Sequence, residues 1–124
     1  MIKTLLLIGS GGFLGSISRF LASRLLQNNF PSAFPFGTFV VNISGCLFIG
    51  LIYGFSDRSS LLTPGWKMFL AVGFCGGFTT FSTFANENLA LLRDGDFFHF
   101  FIYTGLSVFL GITATFLGVL ITKI

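Results

Sequence analysis

The sequence predicts an all-α membrane protein: one domain, residues 1–124, of four transmembrane helices with a break in the third. Three observations carry this expectation. Only 9% of the residues are charged and 53% are hydrophobic, with a mean hydropathy of +0.91, whereas a soluble domain carries about 25% charged residues to face water. Four apolar stretches, Leu5 to Leu26, Gly37 to Phe55, Trp66 to Leu92 and Phe97 to Ile121, are each long enough to cross a hydrocarbon core of about 30 Å as a helix. Inside the third, GGFTTFSTF (Gly76 to Phe84) puts glycines and adjacent threonines where a regular helix interior is disfavoured.

The first stretch begins MIKTLLLIGS, which has the look of a signal peptide. No A-x-A-like site follows, and the apolar pattern continues past Arg19 to Leu26, so the segment reads as a retained helix. Gly12, Ser16, Arg19 and Ser23 fall on one stripe at helical spacing, and Gly11-x-x-x-Gly15 permits close backbone approach. Arg19 lies about two turns inside the helix end, where it either snorkels to the interface or serves a function. QNNFPSAFP then carries the Pro, Asn and Ser of a loop. In the second stretch Thr38, Asn42 and Gly45 share a side. Asn42 has several hydrogen-bonding positions to satisfy where lipid offers no water, so it faces either a partner helix or a wet pathway.

A second loop, SDRSSLLTPG, precedes the third helix. There Gly73, Gly76 and Gly77 followed by Thr79 and Thr80 predict the break, and irregular backbone at membrane depth is tolerated only when buried in protein or lining a cavity. Unwound carbonyls at such breaks recur as cation sites in transporters. Phe81, Phe84 and Glu87 follow at spacings of three, and Glu87 is the only intramembrane carboxylate. RDGD, Arg93 to Asp96, is a tight charged turn. The last helix carries Tyr103, Ser107 and Thr115 at multiples of four, with Gly111 filling the gap.

Several classes are excluded or disfavoured. The net charge is +3, but Lys3, Arg19, Arg24, Arg58, Lys67, Arg93 and Lys123 are scattered singly, and no basic patch suggests nucleic acid. Cys46 and Cys75 sit inside apolar segments and read as small core residues. The only His, His99, has no metal-ligand arrangement around it and Ser82 has no base in view, so the chain does not read as an enzyme. Four basic residues at the face of the termini oppose two or three at the other, a bias weak enough to fit insertion in both orientations. The donors available to a solute are hydroxyls, the Asn42 amide, Arg19 and phenylalanine ring edges, which are gentle partners for an anion.

Three motifs in this order, GGFLGSISRF (Gly11 to Phe20), GTFVVNISG (Gly37 to Gly45) and GGFTTFSTF, resemble those of the Fluc (CrcB) fluoride channels across nearly the whole chain. The resemblance implies a fluoride-selective channel exporting fluoride from the bacterial cytoplasm, in the inner membrane, as a dual-topology antiparallel homodimer with a central structural Na⁺. Matched by motif, Phe81, Phe84 and Asn42 correspond to residues of the fluoride path, with Thr38, Tyr103 and Ser107 as a polar track beside them. Gly76 and Thr79 correspond to backbone carbonyl ligands of Na⁺, and Arg19 to the vestibule arginine. Gly111 stands where some members have another hydroxyl. The pairs Gly11 with Gly15, Gly50 with Gly54 and Gly73 with Gly77 are expected to serve the dimer. A small four-helix proton-coupled multidrug exporter is the alternative, but it needs a cavity carboxylate and the first helix offers Arg19 instead.

Overall fold

The structure, a computed structural model, describes residues 1–58 and 62–124; Ser59, Ser60 and Leu61 of the second predicted loop lie outside the described residues. The described residues are helical or loop, and four spans are long and apolar enough to cross a membrane. Helix α1 runs Ile2–Asn29 and α2 runs Phe36–Arg58. The third span is composite. It opens as α3, Pro64–Lys67, widens into a π-helical stretch, Met68–Cys75, tightens to α4, Gly76–Phe78, and resumes after a gap as α5, Phe81–Arg93. Helix α6, Phe97–Thr122, closes the chain.

Local chemistry accounts for the ends. Thr63 caps α3 by accepting from the Trp66 N–H at 3.3 Å, with Pro64 in the first turn, where its missing N–H costs nothing. The predicted turn before α6 is present: Gly95 takes φ +72°, which a side chain would resist, and Asp96 accepts from the His99 N–H at 3.2 Å. At the far end of α6 the Arg58 guanidinium donates to the Thr122 carbonyl, satisfying an oxygen the helix leaves without a partner.

In lipid, apolar side chains gain nothing by leaving the solvent, so helices associate where small residues let backbones approach. Two pairs form this way. Helix α1 lies along the first half of the third span, with Gly11 against Phe69 and Gly73, and Gly15 against Phe74 and Phe78. Helix α2 lies along α6, with Gly50 against Thr115, Gly54 against Thr122 and Gly118 against Leu47 and Leu51. Large side chains such as Phe13, Phe109 and Phe116 point outward and are exposed, as lipid contact allows. The buried core is correspondingly small and centres on Tyr103, Val41 and Cys75.

This corrects one expectation. The pairs Gly11 with Gly15, Gly50 with Gly54 and Gly73 with Gly77 do not await a second chain; each is spent on packing within this one. The break is also narrower than the run of glycines suggested. Gly73 and Gly77 are helical and press against Ile8, Gly12 and Ser16 of α1, and only Thr79 and Thr80 leave the helix.

Candidate functional site

The break is built from two extended residues, Thr79 at φ −90°, ψ 155° and Thr80 at φ −150°, ψ 119°. Helix α2 serves as its template. Asn42 spans the exposed backbone of Thr80: its Oδ1 accepts from the Thr80 N–H at 2.8 Å and its Nδ2 donates to the Thr80 carbonyl at 3.1 Å. Gly45, one turn on, leaves the room that the Thr79 methyl occupies. Thr80 then caps α5, its hydroxyl oxygen accepting from the Thr83 N–H at 3.1 Å.

These contacts divert two donors. In an unbroken helix the Thr80 N–H would bond the Gly76 carbonyl and the Thr83 N–H the Thr79 carbonyl. Here both go to side-chain oxygens, so the Gly76 and Thr79 carbonyls are released from their helical partners. Space is open around Gly76, where an added Cβ would meet nothing within 4 Å. Released neutral carbonyls fit a hard monovalent cation such as Na⁺, since a divalent ion usually recruits carboxylates.

One turn along α5 lies a second polar knot. Thr38 donates its hydroxyl to Glu87 Oε2 at 2.9 Å and Tyr103 donates to Glu87 Oε1 at 2.7 Å, so three helices converge on one carboxylate. Tyr103 is fully buried, with Phe84 packed on its ring at 4.9 Å and Phe34 meeting it edge-on at 5.4 Å. A cavity of about 360 Å³ reaches this knot from outside, lined by Arg24 and Gln27 of α1 together with Thr38, Thr83 and Glu87. Gln27 holds its rim: its Nε2 donates to the Ser32 carbonyl at 3.2 Å and its Oε1 accepts from the Gly37 N–H at 3.1 Å.

A second space, a groove of about 320 Å³, is walled by Asn42, Phe81, Phe84, Ser107, Cys46 and Thr80. The Ser107 hydroxyl is buried and has no partner among the described residues.

The structure thus places Thr38 on one space and Asn42, Phe84 and Ser107 on another, while Tyr103 lines neither and reaches the first through Glu87. Phe81 also touches the groove but is 79% exposed, with its ring 5.7 Å from that of Phe84. Arg19 is not among the residues lining either space; its Nε is buried without a partner among the described residues, and Arg24 lines the first space instead. Sequence reasoning gave Glu87 no role and passed over Thr83 and Gln27. The signal for Glu87 was present, since a carboxylate at membrane depth needs donors and two lie on neighbouring helices.

Residues 6–119 match the protein family described as CrcB-like protein, Camphor Resistance (CrcB). The chain belongs to the CrcB family. Among CrcB relatives, a protein named fluoride-specific ion channel FluC from Flavobacterium psychrophilum is 45% identical over 98% of this chain and 98% of its own length. One of the same name from Campylobacter jejuni is 45% identical over 99% of this chain and 100% of its own. A third, from Leptospira interrogans, is 46% identical over 98% of this chain and 95% of its own. The CrcB motifs of the first three spans coincide with the α1 packing face, the Asn42 clamp and the break.

Proposed function

We propose that this chain is a fluoride-selective channel, releasing fluoride from the bacterial cytoplasm across the inner membrane, and not an enzyme. The near-full-length similarity to proteins named fluoride-specific ion channels supports this reading. The observation that carries it in the molecule is the unpartnered Ser107 hydroxyl beside Asn42, Phe84 and Phe81 in one membrane-depth groove. A buried donor without an acceptor costs about 1–3 kcal/mol, and a passing anion removes that cost.

Fluoride is small and holds its water strongly, so a path must replace hydration with hydrogen-bond donors at short range. The Ser107 hydroxyl and the second N–H of Asn42 supply such donors, while the Thr38 and Tyr103 protons are held by Glu87. Phe81 and Phe84 add ring edges, whose partial positive charge attracts an anion without trapping it. Arg24 at the rim, with Arg19 deeper in α1, raises the local anion concentration. No full cationic charge lines the groove itself, which keeps release fast.

The assembly belongs to the same proposal: an antiparallel homodimer of chains inserted in both orientations, meeting at the break. Support comes from Phe81 and Gly76, which lie open at the groove and the break: Phe81 is largely exposed, and a Cβ on Gly76 would meet none of the described residues within 4 Å. The Gly76 and Thr79 carbonyls would hold a structural Na⁺. Asn42 and Thr80 keep those carbonyls free, and an ion held by them would supply positive charge to the unwound backbone.

The test is fluoride efflux from liposomes holding the purified protein, without a proton gradient. Rapid fluoride release with chloride retained is expected; no release, or release only with an opposing proton gradient, would overturn the channel reading. For topology, a cysteine added after Ile124 should react with an impermeant reagent from both sides of the cell membrane. Reaction from one side alone would refute dual insertion.

A further inference from the structure

We infer that the Cys46 thiol completes the anion path of this chain, standing in the gap that Gly111 leaves in the α6 row of Tyr103, Ser107 and Thr115. The inference rests on the channel reading above and names one more residue in it. Each member of the row has a distinct state. The Tyr103 hydroxyl is committed to Glu87 at 2.7 Å. The Ser107 hydroxyl is buried and unpartnered. Gly111 has no side chain, and the Thr115 hydroxyl is committed to the Cys46 carbonyl at 3.0 Å. An anion leaving Ser107 along α6 therefore finds no free donor from α6 for the next two turns.

The nearest atom to the empty position belongs to α2. A Cβ built on Gly111 would lie 3.5 Å from Cys46 Sγ, ordinary van der Waals contact, and 4.0 Å from Ile43 Cδ1. The register that brings Sγ there is held by the Thr115 bond to the Cys46 carbonyl and by Gly50 pressed on the Thr115 backbone. Cys46 is a free thiol and lines the same groove as Ser107, Asn42 and Phe84. Its S–H is a weak donor, and a weak donor suits a station that an anion must leave. A side chain at Gly111 would contact the thiol, so the glycine and the cysteine act as one unit.

The experiment measures fluoride efflux from liposomes for the parent chain, Cys46→Val, Cys46→Ser, and Gly111→Ser combined with Cys46→Val. Valine, β-branched and about one methyl group larger, removes the donor, so flux should fall about fivefold, the effect of losing one weak hydrogen bond to an ion. Serine at position 46 should recover most of that loss, and so should serine at position 111 from the opposite helix. The folded parent is also treated with methyl methanethiosulfonate. Sulfur of Cys46 attacks the sulfenyl sulfur, an S–S bond forms, and methanesulfinate leaves with the thiol proton. The added S-methyl group should block the groove and cut flux at least as much as valine does.

Parent-like flux in Cys46→Val, together with undiminished flux in a parent whose Cys46 is shown by mass spectrometry to be methylthiolated, would overturn the inference and leave the channel reading standing. Equal inhibition of Cys46→Ser by the reagent would overturn it too, because the reaction would then lie at Cys75. A parent that releases no fluoride overturns both readings, which separates that failure from the others. Should Cys46→Val fail to fold, modification of the already folded parent decides the matter alone.

Discussion

The seam where α2 meets α6 and the seam where α2 meets the broken third span are built from the same helix and work in opposite ways. Along α6, Gly50 and Gly118 bring backbone against backbone, and Gly54 takes the Thr122 side chain. Along the break, Thr38 and Asn42 reach across to Glu87 and Thr80 through side-chain hydrogen bonds, with open spaces on either side. The first seam is a fixed support. The second is held by directional bonds and borders two cavities. In lipid, where burying apolar surface drives little association, backbone contact gives rigidity and polar side chains give a path.

The largest expected effect comes from breaking the support. In Gly118→Val the new Cβ would meet the Leu47 carbonyl oxygen at 2.5 Å and the Leu51 nitrogen at 2.8 Å, both backbone atoms that cannot step aside. Overpacking of this kind costs about 1–3 kcal/mol or more. The yield of monodisperse protein on size exclusion should collapse together with flux; a well-folded, conducting Gly118→Val would mean the α2–α6 seam is looser than described.

Next is the clamp. Asn42→Leu removes both bonds to Thr80 and leaves its N–H and carbonyl unpaired at membrane depth, about 1–3 kcal/mol each. Thermal stability should drop and fluoride efflux should be abolished. Asn42→Asp separates the two roles, since Oδ1 still accepts from Thr80 while the new charge repels the anion. Flux should vanish with a smaller loss of stability than in the leucine variant; equal stability losses in both would argue that Asn42 acts on the backbone alone.

The phenylalanines sharpen the comparison at one level less. Phe84 packs on the buried Tyr103 ring, whereas Phe81 is 79% exposed on this chain. Phe84→Ile should lower both melting temperature and flux. Phe81→Ile should lower flux by a similar factor while leaving the fold of the single chain intact, because its ring supports little within it. Parent-like flux in both variants would remove ring edges from the account.

The smallest effect lies outside both seams. The side-chain bond with His99, at 2.7 Å, and the His99 backbone N–H hold the Asp96 carboxyl below its ordinary pKa. A carboxyl depressed in the folded state contributes stability above its unfolded value, near 3.9, and that contribution is lost as pH falls through the folded value. The contribution of Asp96 should therefore be constant from neutral pH down to about 4 and disappear below. Asp96→Ala should flatten that acid limb, and an unchanged acid profile would show that the cap carries no pH dependence.

Much of this was legible in the chain itself. The paucity of charge and the lengths of the apolar runs determined the spans, RDGD determined the turn at Gly95, and the threonine pair within the glycine-rich stretch determined that the third helix breaks. The stripe of Thr38, Asn42 and Gly45 was legible as one face, because spacing along a helix repeats every 3.6 residues whatever surrounds it. What that face touches was not. Periodicity assigns a side chain to a direction and says nothing of which atom waits there, so only the packing of α2 on the third span decided that Asn42 clamps Thr80 and that Thr38 and Tyr103 share Glu87. The glycines show the same limit. Helix propensity records that Gly73 and Gly77 weaken a helix in isolation, but it cannot record that α1 lies close enough to need them, and so only the tertiary structure separated glycines that pack from threonines that break.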